Sequence, residues 1–267
     1  MGTTTIIMFI LIGVIGGGVA GLLGVGGGIL FVPCLYHGFV WSGVEEEMAF
    51  LLAVGTSLSV IIVTSLSSSL GHAIHGNLNP RAVLLMAVPA IPSAMAGAGI
   101  GSVLGGGVLR MTFGVVALLI AIQFFRPAGE PKFKEDRRLW YGHYLIVGGI
   151  SGLFSAILGV GGGILTVPLL HLVFNRPMNR AVPNSSGLIV FSSIAGTIGW
   201  IISGWNAEGL PAASVGYVNM YGWALISITA VVSAQIGALG VAYLDHKKLR
   251  IPFGVMMVLV GIKMLLS

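Results

Sequence analysis

Long apolar runs separated by short polar breaks fill the whole sequence. A helix needs about 20 mostly apolar residues to cross roughly 30 Å of hydrocarbon, and runs of this length recur along the chain. The strands of a membrane barrel would instead alternate polar and apolar residues over segments of about ten positions. The pattern therefore predicts an all-α polytopic membrane protein.

Polar breaks divide the apolar runs into helices. No Lys or Arg precedes the first run, so we expect it to be a true first helix rather than a cleaved signal peptide. In the first half, the predicted helices cover residues 4–23, 29–41, 49–74, 81–104 and 108–125. In the second half, they cover residues 142–158, 164–174, 181–203, 213–243 and 249–266.

The composition agrees with a membrane protein. Hydrophobic residues make up 56% of the chain and charged residues only 8%, whereas a soluble domain carries about 25% charged residues. A net charge of +5 would suit nucleic-acid binding in a soluble protein, but here the Lys and Arg residues flank hydrophobic spans. These residues therefore indicate topology, and we expect no nucleic-acid partner.

The sequence repeats itself, because three segments of the first half return in the same order in the second half. This indicates two membrane units, residues 1–125 and 142–267, joined by a linker at 126–141. Repeated halves are common among secondary transporters. The matching segments are 24–33 with 159–168 (GVGGGILFVP and GVGGGILTVP), 53–57 with 181–185 (AVGTS and AVPNS, an alignment that also matches His72 with Trp200), and 109–114 with 249–254 (LRMTFG and LRIPFG).

The charged residues predict how the two halves lie in the membrane. The linker is basic and should be cytoplasmic by the positive-inside rule. An odd number of crossings in each half gives a clear charge bias, whereas an even number gives none. We therefore predict inverted halves with both termini extracytoplasmic. On this topology Arg81, Arg176, Arg180, Lys247, Lys248 and Arg250 are inside, Glu45, Glu46, Glu47 and Glu208 are outside, and Arg110 and Lys263 are basic exceptions outside.

Each half begins with two helices joined by a Gly-rich turn. The second helices, 29–41 and 164–174, would be only about 16 to 20 Å long at 1.5 Å per residue, which is less than the hydrocarbon thickness. We favour re-entrant hairpins whose glycine tips approach the middle of the membrane from opposite faces. Hairpins that cross fully fit the same parity, so both forms remain open at this point.

The two Gly-rich turns are the best candidate binding site. Each opens a helix whose first N–H groups lack partners and whose dipole is positive, which suits an anion without any charged side chain. The alternative is that these glycines only let helices pack closely, as we expect for Gly13 and Gly17. Broken helices in paired halves favour the binding role. The predicted binding glycines are Gly24, Gly26, Gly27, Gly28, Gly159, Gly161, Gly162 and Gly163.

Polar side chains early in the long helix after each hairpin are candidates to line the same site. They are Thr56 and Ser57 in the first half and Asn184 and Ser185 in the second, with Gln235 in a later apolar helix. Ser and Thr hydroxyls often bond back to their own helix instead. Asn184 is the strongest candidate, because its amide donors need partners in hydrocarbon.

The histidines, the carboxylates and the single cysteine limit the kinds of function that the sequence allows. His72, near the end of a long helix, is a candidate proton or anion relay, although an interfacial histidine is often simply hydrated. All 8 carboxylates fall in loops or at helix ends, which argues against an acidic proton relay or a carboxylate-lined cation pathway. The single cysteine, Cys34, excludes an internal disulfide and a thiolate metal site. We expect no catalytic residue, metal or cofactor, and a small anion as substrate.

Several of these segments together resemble the TauE/SafE sulfite exporter family, also called the toluene sulfonate uptake permeases. They are the doubled Gly-x-Gly-Gly-Gly turns, the AVGTSL stretch at 53–58, the helix end at 72–76 and the LRxxFG repeats. The resemblance covers about residues 6–265. It implies a transporter of the prokaryotic cell membrane that exports sulfite, sulfonates or related sulfur-containing anions by alternating access.

The resemblance also implies which residues bind. The family's glycine motifs fall on the eight glycines given above, and its Thr-Ser pair falls on Thr56 and Ser57. This chain departs from the more usual Ala-Thr-Ser form at 183–186, where it reads PNSS, and this changes the polar wall of the site. The implied partners are a small anion and the lipid bilayer. Whether H⁺ or Na⁺ is the coupling ion, and whether the protein forms a homodimer, stays open.

Two other functions compete with a carrier. A passive anion channel would share the polar pathway and differ in its gate. An intramembrane hydrolase would need Ser185 or Ser186 within about 2.6 to 3.2 Å of a base such as His72. Nothing beyond the presence of these residue types supports the hydrolase, so we favour the carrier.

Overall fold

The computed structural model describes residues 3–23, 27–125, 140–240 and 246–266. Helices make up nearly all of these residues, which confirms the all-α prediction. In the first half they are α1 (Thr3–Leu23), α2 (Gly28–Trp41), α3 (Glu46–Ile74) and α4 (Pro80–Phe125). In the second half they are α5 (Tyr141–Leu158), α6 (Gly163–Pro168), a π-helical turn (Leu169–Val173), α7 (Met178–Ser203), α8 (Met220–Gly240) and α9 (His246–Leu266).

Helix α4 joins two of the predicted helices across a bend. Gly105 lies at the bend with φ 80 and ψ 161, a backbone conformation that favours glycine. The next residue, Gly106, rests on the first turn of α3, where an added methyl group would overlap the Glu47 carbonyl oxygen. The predicted break near 105–107 is therefore present as a bend that is packed against α3.

The predicted helix at 213–243 is wrong over its first residues, because α8 begins only at Met220. Strand β1 (Ser214–Val215) pairs antiparallel with β2 (Val218–Asn219) in this region. Ala213 has φ 60 and Gly216 has φ 54, and this left-handed backbone cannot continue a right-handed helix. Strands this short show no periodicity in a sequence, which explains the error.

The helix surfaces identify a membrane protein. Helices α3, α5, α7 and the 80–122 part of α4 are long and apolar enough to cross a membrane. Most of α3 and α7 is buried inside the protein, whereas α4 is similarly apolar and mostly exposed. Such an extended exposed apolar surface suits lipid rather than water. The chain is therefore a multi-pass membrane protein.

Helix packing follows the sequence repeat. Helices α3 and α7 pack together, α1 packs on α8, and α5 packs on α4. Two glycines in α1 and two in α5 make close approaches to these partner helices, and each pair lies equally far before its Gly-rich turn. Gly13 and Gly17 lie against Ile226 and Ala230, and Gly148 and Gly152 lie against Met86 and Ala90. These matched contacts support two related halves, and they fit the packing role expected for small residues in membrane helices.

Candidate functional site

The two Gly-rich turns meet inside the protein. A methyl group added at Gly28 would lie 2.6 Å from Val160 Cα. Gly27, with φ 76, precedes α2, and Gly162, with φ 80, precedes α6, and neither helix start has a side-chain cap. Glycine is required here because the backbone has positive φ and because the close approach leaves no room for a Cβ atom.

The two hairpins reach this meeting point from opposite ends of the molecule. In the first hairpin, the start of α1 lies beside the end of α2, with the Phe9 and Phe39 rings 5.7 Å apart. In the second, Tyr141 at the start of α5 and Arg176 after the π-helical turn border one cleft. Because the tips touch between these ends, neither hairpin crosses the molecule. Of the two forms that the sequence left open, this arrangement favours the re-entrant one, which stays a prediction.

The two ends of the molecule differ in charge. We call the end where α3 begins, with Glu45, Glu46 and Glu47, the acidic end. We call the opposite end, with Arg81, Arg176 and Arg180 around the cleft, the basic end. This separation agrees with the charge division expected for inverted halves. The membrane face of each end stays a prediction.

The long helices α3 and α7 hold the second tip. The Ser57 hydroxyl donates to Gly159 O at 2.8 Å, and the Ser192 hydroxyl donates to Gly161 O at a longer 3.5 Å. Ser57 thus contacts the backbone of the Gly-rich turn, and its predicted role in lining the substrate site stays a prediction. The predicted glycines Gly24 and Gly26 of the first tip lie outside the described residues.

Thr56 and Asn184, which the repeat places at equivalent positions, make equivalent hydrogen bonds. The Asn219 N–H donates to Thr56 Oγ1 at 2.9 Å, and the Asn79 N–H donates to Asn184 Oδ1 at 2.9 Å. Each donor residue also caps the helix that follows it with its own side chain. Both predicted polar residues therefore fasten a long central helix to the loop before the next helix.

The remaining predicted site residues, Ser185, Gln235 and His72, lie on three different helices. Ser185 is fully buried, and its hydroxyl has no hydrogen-bond partner among the described residues. Gln235 is exposed on α8. His72 is half-buried in the last turn of α3, about 22 Å along the helix axis from Ser57 at 1.5 Å per residue. The structure thus does not bring His72 to the tips.

An open cleft enters the molecule at the basic end. Its volume is about 480 Å³. A smaller space of about 30 Å³ shares part of its wall and reaches Asn184, Arg180 and Leu170, with room for one or two water molecules. The lining residues of the cleft are Asn79, Arg81, Ala82, Leu85, Trp140, Tyr141, Tyr144 and Arg176.

The cleft is positively charged. Among the described residues that line it or the smaller space, none is acidic, while three are arginines, Arg81, Arg176 and Arg180. Arg176 donates from Nη2 to the Tyr144 hydroxyl at 3.4 Å. Guanidinium groups on a concave surface attract anions, and their fork of donors matches an oxyanion. Within the described ranges, no group of His, Cys, Asp and Glu could hold a metal ion.

Sequence reasoning treated these arginines only as topology signals and missed the cleft. One clue was available, since Arg180 and Asn184 are four residues apart and share a face of α7. The contact of Asn79 with Asn184 joins positions 105 apart, and such a contact depends on the fold. The cleft was therefore visible only once α3 and α7 were placed side by side.

The acidic end is closed by an ion pair. Arg110 donates from Nη1 to Glu46 Oε2 at 2.9 Å and to the Tyr36 hydroxyl at 2.8 Å. Tyr36 is buried, and the Arg110 side chain is only 13% exposed. The partnership with Glu46 explains how a basic residue is accommodated at the end where the charge bias disfavours it.

Trp200 fills the acidic end further inside. Its indole Nε1–H donates to Ala156 O at 2.8 Å, and its ring meets that of Tyr217 edge to face at 5.7 Å. Trp200 is fully buried, whereas its counterpart His72 at the basic end is only half-buried. The equivalent helix position is thus filled by a buried ring at the acidic end and is partly accessible at the basic end.

A polytopic helical membrane protein with two broken, Gly-tipped hairpins that meet between its halves has the architecture of a secondary transporter. Residues 9–264 match the family described as Sulfite exporter TauE/SafE, and the chain belongs to that family. This confirms the resemblance found in the sequence.

Relatives extend over most of the chain. A probable membrane transporter protein of Methanocaldococcus jannaschii is 30% identical over 97% of this chain and 95% of its own length. One of Haemophilus influenzae is 28% identical over 99% of both chains. One of Bacillus subtilis is 30% identical over 74% of this chain and 79% of its own. The family and these relatives are membrane transporters, so the protein is a membrane transporter and not an enzyme.

Proposed function

We propose that this protein exports sulfite, organosulfonates or related small sulfur-containing anions across the prokaryotic cell membrane by alternating access. The observation that carries the proposal is the meeting of two uncapped Gly-rich tips below an arginine-lined cleft. The family's description supports a sulfur oxyanion as the substrate.

The tips supply anion-binding groups that carry no net charge. Helix α2 begins at Gly28 without a side-chain cap, so its first N–H groups and its dipole favour a negative ion by about 0.3 to 2 kcal/mol. Hydrogen bonds to a charged group add about 1.5 to 3 kcal/mol each. Neutral donors of this strength hold an anion yet let it leave, as a carrier requires.

The packing favours a carrier over a passive channel. The tips touch at Gly28 and Val160, and Trp200 fills the acidic end. An anion that enters the basic-end cleft can approach Asn184 through the smaller space, and the contact of the tips lies deeper in the protein. Passage requires one half to move against the other, which is the motion of repeat-built carriers.

Charge and cleft together give a direction. By the positive-inside rule the basic end faces the cytoplasm, and the acidic end and both termini face outward. The cleft then opens to the cytoplasm and takes up anions from there. This is the loading state of an exporter.

Flux in proteoliposomes tests the proposal. Sulfite flux should saturate and should be inhibited by thiosulfate or toluenesulfonate. Gly28→Ala should lower the flux at least tenfold, because a Cβ at Gly28 overlaps the second tip. The matched control is Gly107→Ala, since a Cβ at Gly107 meets nothing within 4 Å.

Two outcomes would contradict the proposal. Absence of flux for every oxyanion, from folded wild-type protein, would remove the anion-carrier function. A sulfite conductance that stays linear with concentration would instead assign a channel.

A further inference from the structure

Helix α5 carries two buried hydroxyl groups near the second tip. Ser151 and Ser155 lie one turn apart on one face of α5, and they are 1% and 0% exposed. Among the residues that the structure describes, neither hydroxyl has a hydrogen-bond partner. A buried hydroxyl without a partner destabilises the protein and needs an explanation.

Several other buried serines of this protein satisfy their hydroxyls within their own helix. Ser193 donates to Ile189 O at 2.6 Å, and Ser186 donates to Pro183 O at 2.8 Å. This back-bonding is the usual behaviour of a serine inside a helix. Ser151 and Ser155 depart from it, so their hydroxyls are available to another group.

The Ser155 hydroxyl faces the tip itself. Its Oγ lies 3.6 Å from the position that a Cβ of Gly162 would occupy. The Gly159 N–H donates to Ser155 O at 2.9 Å, so the end of α5 is held against the turn. The neighbouring turn residue Val160 contacts Gly28 of the first tip. The hydroxyl is therefore beside the point where the two hairpins meet.

The first half builds the same hairpin without these hydroxyls. Alignment of the two Gly-rich turns shows three positions around the tip that are apolar in the first half and hydroxyl-bearing in the second. The pairs are Gly16 with Ser151, Ala20 with Ser155, and Phe31 with Thr166.

The first-half positions are filled by an aromatic ring. Phe31 is fully buried, and a methyl group added at Gly16 would lie 2.5 Å from its ring. In the second half, Thr166 donates to Gly162 O at 2.9 Å in place of that packing. Because the fold tolerates apolar residues here, the serines of the second half are not needed to form the hairpin.

We infer that Ser151 and Ser155 donate hydrogen bonds to the transported oxyanion, forming a binding subsite in the second half alone. The inference rests on the proposed function and adds residues that neither Gly-rich motif contains. Serine hydroxyls are neutral donors, and an oxyanion accepts several hydrogen bonds at once. The bound anion consequently lies toward α5 and α6 rather than midway between the two halves.

Substitution of the two serines separates binding from folding. In Ser155→Ala, the thermal midpoint without substrate should stay equal or rise. In the double variant S151G/S155A, which copies the first half, it should fall only slightly, because a glycine inside a helix loses more conformational freedom on folding than other residues do. The apparent KM for sulfite should rise about tenfold or more, as expected for loss of a hydrogen bond to a charged group. Ser155→Thr should retain the wild-type KM, because the hydroxyl is kept. The matched control is Ser193→Ala, whose hydroxyl bonds within α7.

The outcomes distinguish the subsite from the function. If the wild type transports sulfite and S151G/S155A has the same KM, the subsite is wrong and the proposed function stands. If the variants change the dependence of flux on Na⁺ and leave the KM for sulfite unchanged, the hydroxyls bind a cation and the inference is overturned. Failure of the wild type to transport any oxyanion counts against the proposed function itself.

Discussion

The acidic and basic ends are built from equivalent parts but differ in shape. At each end the N–H of an asparagine donates to a polar residue of a long central helix, Asn219 to Thr56 and Asn79 to Asn184. Thr56 is fully buried beneath the acidic end, whereas Asn184 borders open space at the basic end. The shared hydrogen bonds show that the difference between the ends lies in what surrounds them.

Positively charged side chains surround the basic end, whereas packed side chains fill the acidic end. Arg81 and Arg176 line the basic-end cleft. At the acidic end, Arg110 donates hydrogen bonds to Glu46 and Tyr36. Because the charged groups lie at one end and the packed groups at the other, variants can be aimed at each end separately.

The largest effect is expected from the basic-end arginines. In the double variant Arg176→Gln with Arg180→Gln, the apparent KM should rise about tenfold when sulfite is offered at the basic end. Both side chains are at least partly solvated, so each contributes a modest, salt-screened attraction. Flux measured at low and high salt from each face of oriented proteoliposomes checks this.

The control for this pair keeps the charge. Arg176→Lys with Arg180→Lys should change the KM less than the glutamine pair does. An equal KM for the glutamine pair and the wild type at low salt would show that the cleft does not recruit the substrate.

A middle-sized effect is expected from opening the acidic end. Arg110→Ala leaves the buried Tyr36 hydroxyl without its donor and should lower the free energy of unfolding by about 1 to 2 kcal/mol. The single cysteine, Cys34, lies half-buried two residues before Tyr36 on α2. Its labelling by a water-soluble maleimide should become faster when the ion pair is lost.

Glu46→Gln is the matched control. The Glu46 side chain is 60% exposed, so its loss should change stability by less than about 1 kcal/mol. Labelling of Cys34 at the wild-type rate in Arg110→Ala would show that this contact does not close the acidic end.

The smallest effect is expected at the tip, which both ends share. Ser57→Ala removes the hydrogen bond to Gly159 O and should cost about 1 kcal/mol, equivalent to a fall of about 2 to 4 °C in Tm. Ser59→Ala is the control, because that hydroxyl bonds only within α3. Equal Tm values for the two variants would mean that α3 does not secure the tip through Ser57.

Most of the fold could be predicted from the sequence because its signals are local. Long apolar runs predict membrane helices, and the doubled GVGGG segments predict the hairpins that meet at Gly28 and Val160. The two-residue strands before α8 were missed, because a left-handed backbone at Ala213 gives no recognisable pattern. Local signals thus located the tips but not the elements that plug the acidic end.

The site was predicted only in part, because half of it depends on contacts across the repeat. Ser57 was a candidate because it is a polar residue early in a long apolar helix, and the structure places it against the second tip. The basic-end cleft needs Asn79 and Asn184 to meet, and no local pattern records that contact. The serines of α5 lay within reach of sequence reasoning, since the alignment that pairs the two tips also pairs Ala20 with Ser155.

The bend in α4 has a mechanical consequence. The arm before Gly105 begins with Arg81 at the cleft, and Arg110 follows just after the bend, beside Glu46. The bend itself is clamped on the backbone of Glu47. A tilt of α4 as a single body about this bend therefore displaces both arginines together, like the two ends of a lever. Such a helix can couple the closing of the basic-end cleft to the opening of the acidic end without a separate relay.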